Sequence, residues 1–464
     1  MTADAKTTAI TAWRGAGRHR LGYWAVAFSF VTLTAFSTVP SPLYALYARR
    51  DGFSSLTITL VYAVYAVGVA VSLFFAGHLS DIHGRRPLLL GALGLDVASS
   101  IVFLTWPALP GLFVARVVCG LSIGVTSSTA TAYLSELHAG HRPARLAHRA
   151  QIVATVATLG GFGFGALVAG LLGQYVPRPL TVPYVVLLAV MIVAGVGLMF
   201  TPETRPRPRP LPAYRPQRLS VPREGRAPFF SALLGIVLVL AVLGMFVGLA
   251  GTVLVTTLHH TSLALAGETV FLVFATGAAM AVATSTWPPR RLLLVAVGLM
   301  IAGLVIAVTA AWLPAPSLAL FLLGGAVVGA GGAAGFKSTL GIVVAVSPSG
   351  TLAEALATYF LGGYIGLSVP VIGLGIALQY VSTPVAMLIF SAAVAVALLA
   401  ATPVLLRPPG RSDRVMSVSS LRNTDHLLWL YARRDNILRL GCGEPESSVC
   451  QLYLPSLRPP PAAA

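Results

Sequence analysis

Charge is what this 464-residue chain has least of. Asp, Glu, Lys and Arg together make up 10% of it, against about 25% in a soluble domain. That scarcity excludes a soluble reading as about three domains. Lysine is almost missing, with two residues beside 29 arginines. Cysteine is also rare, and Cys119, Cys442 and Cys450 have no metal-ligand spacing. Cys119 sits in an apolar run and reads as packing, and the tail pair is expected in a reducing cytoplasm where a disulfide does not persist. Residues 1–20 lack the apolar stretch of a cleaved signal peptide, so the first span is expected to serve as its own anchor. The chain has no HExxH, no GxxxxGK(S/T) phosphate loop and no paired carboxylates beside a base. A membrane enzyme and a self-powered pump are therefore disfavoured, and no cofactor or metal is expected.

What the chain has in quantity is apolar sequence. Hydrophobic residues make up 56% and the mean hydropathy is +0.84. Runs near twenty residues recur, each long enough to cross about 30 Å of hydrocarbon as a helix. A helix satisfies its own backbone there. The ten-residue alternation of a membrane β-barrel is absent. Twelve spans are predicted, at 22–45, 55–78, 87–106, 110–135, 149–174, 181–201, 228–256, 265–286, 292–313, 317–346, 353–379 and 383–406. The fold class is thus an all-α polytopic membrane protein with the lipid bilayer as its main partner.

The net charge of +17 would suit a nucleic-acid binder, but the charges stand between the spans, so none is expected to be bound. With both termini placed in the cytoplasm, inner segments and the inner halves of the spans hold 27 of the 31 Lys and Arg. Outer loops hold Arg49, Arg50 and Arg178, and Arg116 lies inside a span. This asymmetry is the positive-inside pattern. The expected divisions are a cytoplasmic segment 1–21, a six-helix bundle 22–201, an Arg/Pro-rich linker 202–227, a second bundle 228–406 and a tail 407–464. The linker carries seven arginines and many prolines, a composition that predicts an extended, solvated connector. The tail is expected to be mostly disordered, with a short helix near His426–Leu440.

The halves resemble each other. GRRPLLLGALGL at Gly84–Leu95 matches PRRLLLVAVGL at Pro289–Leu299, LGGF at Leu159–Phe162 matches LGGY at Leu361–Tyr364, and Gly120-x-x-x-Gly124 matches Gly325-x-x-x-Gly329. The offsets are 205, 202 and 205 residues. A shared offset indicates two pseudo-symmetric six-helix bundles, a plan that places a transporter's substrate between the halves near the midplane.

Between spans two and three runs Gly77-His-Leu-Ser-Asp81-Ile-His-Gly84-Arg85-Arg86. It resembles the signature loop of the major facilitator superfamily, except that Ile82 stands where a basic residue is usual. The resemblance, with the span number, linker and repeat, covers roughly residues 20–406. It implies a twelve-helix fold and secondary transport of a small molecule by alternating access. It also implies an inner gate formed by Gly77, Asp81, Gly84, Arg85 and Arg86, which Glu136 at the end of span four would complete. The second-half copy keeps Arg290 and Arg291 but has no aspartate. Pro202-Glu203-Thr204 ends span six as in many members and reads as a helix stop and anchor.

Few ionisable residues lie at membrane depth, where charges are costly and face a cavity or a partner. Asp96 is about 15 Å from the inner end of span three, and Arg116 is within a turn or so of that depth on span four. The two are expected to pair. Arg116-x-x-x-Gly120-x-x-x-Gly124 resembles the family's fourth-span arginine motif, which implies proton coupling through Asp96 and Arg116. Span five carries Gly160, Gly161, Gly163, Gly165 and Gly170. They resemble the glycine-rich motif of the family's antiporters but lack its Gly-Pro. Gly120, Gly124, Gly161 and Gly165 are candidates for close helix packing. Span eleven repeats the theme with Gly362, Gly363, Gly366 and Pro370, the last a kink site.

In the family, spans one, four, seven and ten line the path. On that geometry the cavity candidates are Phe36, Ser37, Thr38, Ser127, Ser128, Met245 and Thr252, with Tyr359 and Tyr364 on span eleven. Lys337 is placed too near the inner surface to reach a midplane substrate. His259 and His260 read as a polar outer loop. The set is apolar, aromatic and hydroxyl-bearing. With the first-half loop motif and the span-five glycines, it favours proton-coupled export of small amphipathic or drug-like compounds, and a monomer in the plasma membrane is expected. Uptake of a sugar or organic acid and a non-transporting sensor are the alternatives.

Overall fold

The computed structural model describes residues 3–76, 79–139, 147–205, 219–222, 225–348 and 351–406. Among them are helices and no strand. The first half comprises α1 (Ala3–Thr38), α2 (Pro40–Asp51), α3 (Ser55–Ala76), α4 (Leu79–His83), α5 (Arg85–Thr105), α6 (Leu109–Ala139), α7 (Ala147–Tyr175) and α8 (Val182–Met199). The second comprises α9 (Arg226–Thr256), α10 (Leu263–Ala283), α11 (Pro289–Trp312), α12 (Leu318–Val346), α13 (Leu352–Ala377) and α14 (Thr383–Leu405). Twelve membrane-length apolar helices result, with α1 and α2 together forming the first span, Leu21–Asp51.

That first span departs from the predicted 22–45. It breaks at Val39, whose N–H turns back to the Phe36 carbonyl at 3.2 Å, because Pro40 has no N–H to continue the ladder. It then runs on to Asp51, since Tyr44 and Tyr47 are buried and hold α2 against the bundle. The linker departs as well. Ser220 N–H donates to Thr358 Oγ1 at 3.2 Å, and Thr358 Oγ1 donates to the Ser220 carbonyl at 3.1 Å. The end of the connector is therefore docked on α13 rather than freely solvated. The linker's middle, the tail and the expected helix near His426–Leu440 lie outside the described residues.

The two halves repeat one pattern of neighbours. α6 packs on α3, α5 and α1 as α12 packs on α10, α11 and α9, and α1 packs on α7 and α8 as α9 packs on α13 and α14. Backbone approach at small residues makes the tightest of these contacts. A Cβ added to Gly120 would strike the Tyr65 carbonyl of α3, and one added to Gly68 would strike the Val117 carbonyl of α6. Gly124, Gly161 and Gly165 are equally close to Ser72, Thr34 and Ala35.

The halves meet from mid-membrane to the face opposite the linker. There Gly170 of α7 packs on Gly267 of α10, and Gly375 of α13 on Thr59 of α3. Leu263 N–H donates to Gln174 Oε1 at 2.9 Å and Ser368 Oγ to the Ala63 carbonyl at 3.2 Å. Tyr62 lies against Gly248, and Tyr65 meets Tyr364 edge-on with centroids 6.4 Å apart. The named contacts between the halves thus lie on the side of the membrane away from the linker.

Gly120→Val should push α3 from α6 and destabilise the protein by about 1–3 kcal/mol, read as a lower thermal unfolding midpoint in detergent. Gly91→Val, at an exposed position with no atom within 4 Å of the added Cβ, should not.

Candidate functional site

Two groups of polar residues stand out in the first half, one at the linker end and one at mid-membrane. The linker-end group begins at Gly84, whose φ of +97° is open to glycine and strained for other residues. A Cβ there would also collide with the Glu203 carboxylate. The turn aims the first N–H groups of α5 at that carboxylate. Arg85 N–H donates to Glu203 Oε1 and Arg86 N–H to Glu203 Oε2, both at 2.9 Å. Glu203 thus caps α5 from beyond the end of α8, where an anion is favoured by the helix dipole.

The Arg85 side chain, 7% exposed, forms an ion pair with Glu136 at 2.9 Å and donates to Ser80 Oγ at 2.5 Å. Thr204 Oγ1 donates to the same Glu136 at 2.5 Å. Arg86 Nη1 donates to the Met199 and Thr201 carbonyls at 3.2 and 3.3 Å, where α8 ends. Tyr133 Oη donates to the Pro202 carbonyl at 2.7 Å. Arg85 and Glu136 are therefore together. Gly77 and the Asp81 side chain lie outside the described residues. The named contacts all fall within the first half, so in this conformation the cluster ties α4, α5, α6 and the end of α8. The sequence reading missed Glu203, Thr204 and Tyr133 as members. Pro-Glu-Thr signals a helix end, but nothing along the chain says that this end lies beside the start of span three.

At mid-membrane, Asp96 is 0% exposed and neither carboxylate oxygen has a hydrogen-bond partner. Ser122 and Cys119 of α6 face it, but the Ser122 hydroxyl is committed to the Ala92 carbonyl at 2.8 Å. Arg116, 2% exposed, points elsewhere. Its Nη1 donates to the Ser37 carbonyl at 2.7 Å and its Nη2 to the Tyr62 carbonyl at 3.4 Å. Its guanidinium lies 4.6 Å from the Tyr65 ring centre and 5.9 Å from that of Tyr62. The expected Asp96–Arg116 ion pair is not formed. Ser99 Oγ donates to the Ala115 carbonyl and Ser122 Oγ to that of Ala92. This register puts Asp96 level with Val118, so Arg116 is near in depth but roughly a quarter turn round α6.

The cavity candidates scatter. Phe36 and Tyr359 are corrected to packing. Phe36 is buried against Phe103 and Tyr184, and the buried Tyr359 shares a 2.8 Å hydrogen bond with Thr339, so each fills the core of its own half. Ser37 presents its carbonyl to Arg116, and Thr38 Oγ1 donates to the Phe162 carbonyl at 2.6 Å. Ser127 and Ser128 are half-buried and bonded to carbonyls of their own helix. Met245 and Thr252 line an apolar crevice with Leu249, Val253, Leu374 and Met387. Its volume of about 10 Å³ is room for about one water. Tyr364 stands where the halves meet. Lys337 Nζ donates to the Thr284 carbonyl at the C-terminal end of α10 at 2.6 Å, a cation on a helix C-terminus. His259 and His260 are exposed.

Twelve membrane-length helices in two halves of matching neighbours, with this loop at the end of the second, are one family's architecture, and comparison with known proteins decides it. The sequence profile of the Major Facilitator Superfamily matches residues 26–313. The chain belongs to that superfamily. It is thus placed among transporters rather than enzymes. The D-xylose-proton symporter-like 1 protein of Arabidopsis thaliana is 24% identical over 173 residues, 37% of this chain and 33% of that protein. The arabinose-proton symporter of Bacillus subtilis is 35% identical over 91 residues, 20% of this chain and 19% of that protein. The chain spans about a third or less of the length of such curated relatives. Among solved structures, the nucleoside transporter NupG superposes with a TM-score of 0.66 at 12% identity, covering 83% of this chain and 99% of that one. That likeness is one of fold.

Glu203→Ala should uncap α5. Because Glu203 is exposed, the loss should be about 1 kcal/mol, and amide hydrogen exchange at Arg85 and Arg86 should quicken while exchange in α12 stays as it was.

Proposed function

We propose that the chain is a secondary transporter that moves a small organic solute by alternating access, coupled to protons that Asp96 takes up and releases. The observation that carries this is a wholly buried carboxyl that makes no hydrogen bond of good geometry and no ion pair, with only a hydroxyl and a thiol facing it, inside a fold of two repeated halves. A carboxylate so placed is a site that a proton can fill. The positive-inside asymmetry supports a cytoplasmic linker face in a protein of the plasma membrane. Contact of α3 with α13 and of α7 with α10 on the far face then corresponds to an inward-facing state. The linker-end cluster of Arg85, Glu136 and Glu203 keeps the first half rigid while it rocks.

Symport into the cell is the reading we favour. It draws on two partial relatives named as proton symporters and on the missing Gly-Pro in span five. Export of amphipathic compounds is the second reading, favoured by the glycines from Gly160 to Gly170 in that same span.

Asp96→Asn should abolish solute accumulation driven by an imposed pH gradient in proteoliposomes, while exchange of labelled for unlabelled solute without a gradient persists. Undiminished gradient-driven accumulation by Asp96→Asn would remove the coupling role.

A further inference from the structure

Arg116 is a fixed cation in the middle of the first half with nothing of opposite charge against it. Two backbone carbonyls and two aromatic faces surround the guanidinium. Its Nε has no partner, and no carboxylate lies within ion-pair distance of it among the described residues. Carbonyl dipoles and ring faces lower the cost of such a charge but do not cancel it, and an uncompensated cation at this depth is expensive. A second orphan donor stands beside it. Tyr44 Oη is buried, makes no hydrogen bond of good geometry and stands close enough to Arg116 from α2 to interact with its guanidinium. An unpartnered N–H and an unpartnered O–H, both buried and adjacent, ask for one acceptor with two oxygens.

The place suits a transported group. Tyr62 and Tyr65, which flank the guanidinium, are the residues that touch Gly248 and Tyr364 of the second half. They wall Arg116 off in the conformation closed on the far face, and separation of the halves there frees them. We infer that the solute carries a carboxylate, which pairs with Arg116 and Tyr44 while its body rests on the faces of Tyr62 and Tyr65. In the present conformation, the Ser37 and Tyr62 carbonyls take the place of the carboxylate.

This rests on the proton-coupled reading above and deepens it. The titratable groups facing Arg116 are Cys119 on α6, Tyr44 on α2, Tyr62 and Tyr65 on α3, and Tyr184 on α8. Asp96 is the acid of the first half that feels Arg116 at this depth. A proton taken from water onto an Asp96 oxygen removes the negative charge a quarter turn away and leaves Arg116 to attract the anion. By reciprocity the bound anion favours the proton. One proton and one carboxylate then cross together without net charge.

The test is binding to the purified full chain in detergent, read as the shift of its thermal unfolding midpoint. The probes are matched pairs: benzoate with benzyl alcohol, lactate with propanediol, and gluconate with sorbitol. At least one carboxylate should stabilise the protein while its alcohol does not, with binding on the order of tenfold tighter near pH ~5.5 than near pH ~8. Asp96→Asn should flatten that pH dependence. Arg116→Gln should abolish the shift and Arg116→Lys retain part of it. Tyr44→Phe, which keeps the ring and the fold, should weaken binding on the order of tenfold, so the inference can be tested even if Arg116 variants do not fold. Stabilisation by alcohols as strong as by acids, no stabilisation by any carboxylate, or unweakened binding in Tyr44→Phe would each overturn it. Labelled arabinose separates the two readings. Its pH-driven uptake alongside failed carboxylate binding sinks the anion and leaves proton coupling standing. Persistence of pH-driven uptake in Asp96→Asn sinks the coupling itself.

Discussion

Hydrocarbon offers no water, so every polar group within a span must find its partner in the protein. Most of the hydroxyls described within the spans obey that constraint with economy. Thr32, Thr126, Ser127, Thr158, Thr269 and Thr276 donate to carbonyls four residues back on their own helices. Others are spent between helices. Ser99 and Ser122 bond α5 to α6, Ser100 bonds α5 to α8, and Thr38 bonds α1 to α7. Five buried hydroxyls, of Tyr44, Thr129, Thr257, Ser347 and Ser391, also lack a partner, but a hydroxyl left so costs far less than the ionisable Asp96 and Arg116, whose unpartnered atoms packing alone would not retain.

The same constraint explains why the halves hold together as they do. The contacts that a rocking motion has to break are made by small side chains, aromatic edges and two single hydrogen bonds, from Leu263 to Gln174 and from Ser368 to Ala63. Each is modest in net worth once broken groups find other partners. The Arg85–Glu136 ion pair and the backbone bonds to Glu203 are kept inside the first half, at the linker end, where water is near. Among the described residues the second half shows no counterpart to that cluster. Arg291 lies over Trp287 at 4.0 Å, Arg290 is exposed and Lys337 caps α10. The repeat preserved helix packing and the arginine pair but left the acids on one side. The first half is thus the better braced of the two.

Much of this was legible from the residues. Apolar runs and charge asymmetry located the spans, since both report directly on the bilayer. A shared offset identified the halves, and the loop spacing brought Arg85 to Glu136. What failed was rotation. Depth along a helix follows from counting residues, and Asp96 and Arg116 were rightly placed near one level. Which side of α6 each meets depends on the register between α5 and α6, and that is fixed by Ser99 and Ser122, which look unremarkable in sequence. Phe36 and Tyr359 failed for the same reason, because a span known to border a path still buries most of its circumference. Glu203 was invisible for another reason. Its partners are backbone N–H groups, which carry no residue signature.

In the proposed mechanism these rotations make α6 the element on which coupling turns. One side of it carries Arg116 toward α1 and α3. A quarter turn away, Cys119 and Ser122 meet Asp96. Gly120 and Gly124 press its backbone against α3, so that it cannot shift without moving Tyr62 and Tyr65, the residues that touch the second half. Its last turns hold Glu136 in the linker-end cluster. A change of charge at Asp96 acts on Arg116 through the short, water-free width of one helix, where the effective dielectric is low and the interaction is strong. Arg116 in turn holds the Ser37 carbonyl, two residues before the break at Val39. Proton, candidate anion site, span-one break and far-face closure are therefore joined through a single rigid rod, and no longer pathway between them has to be invoked.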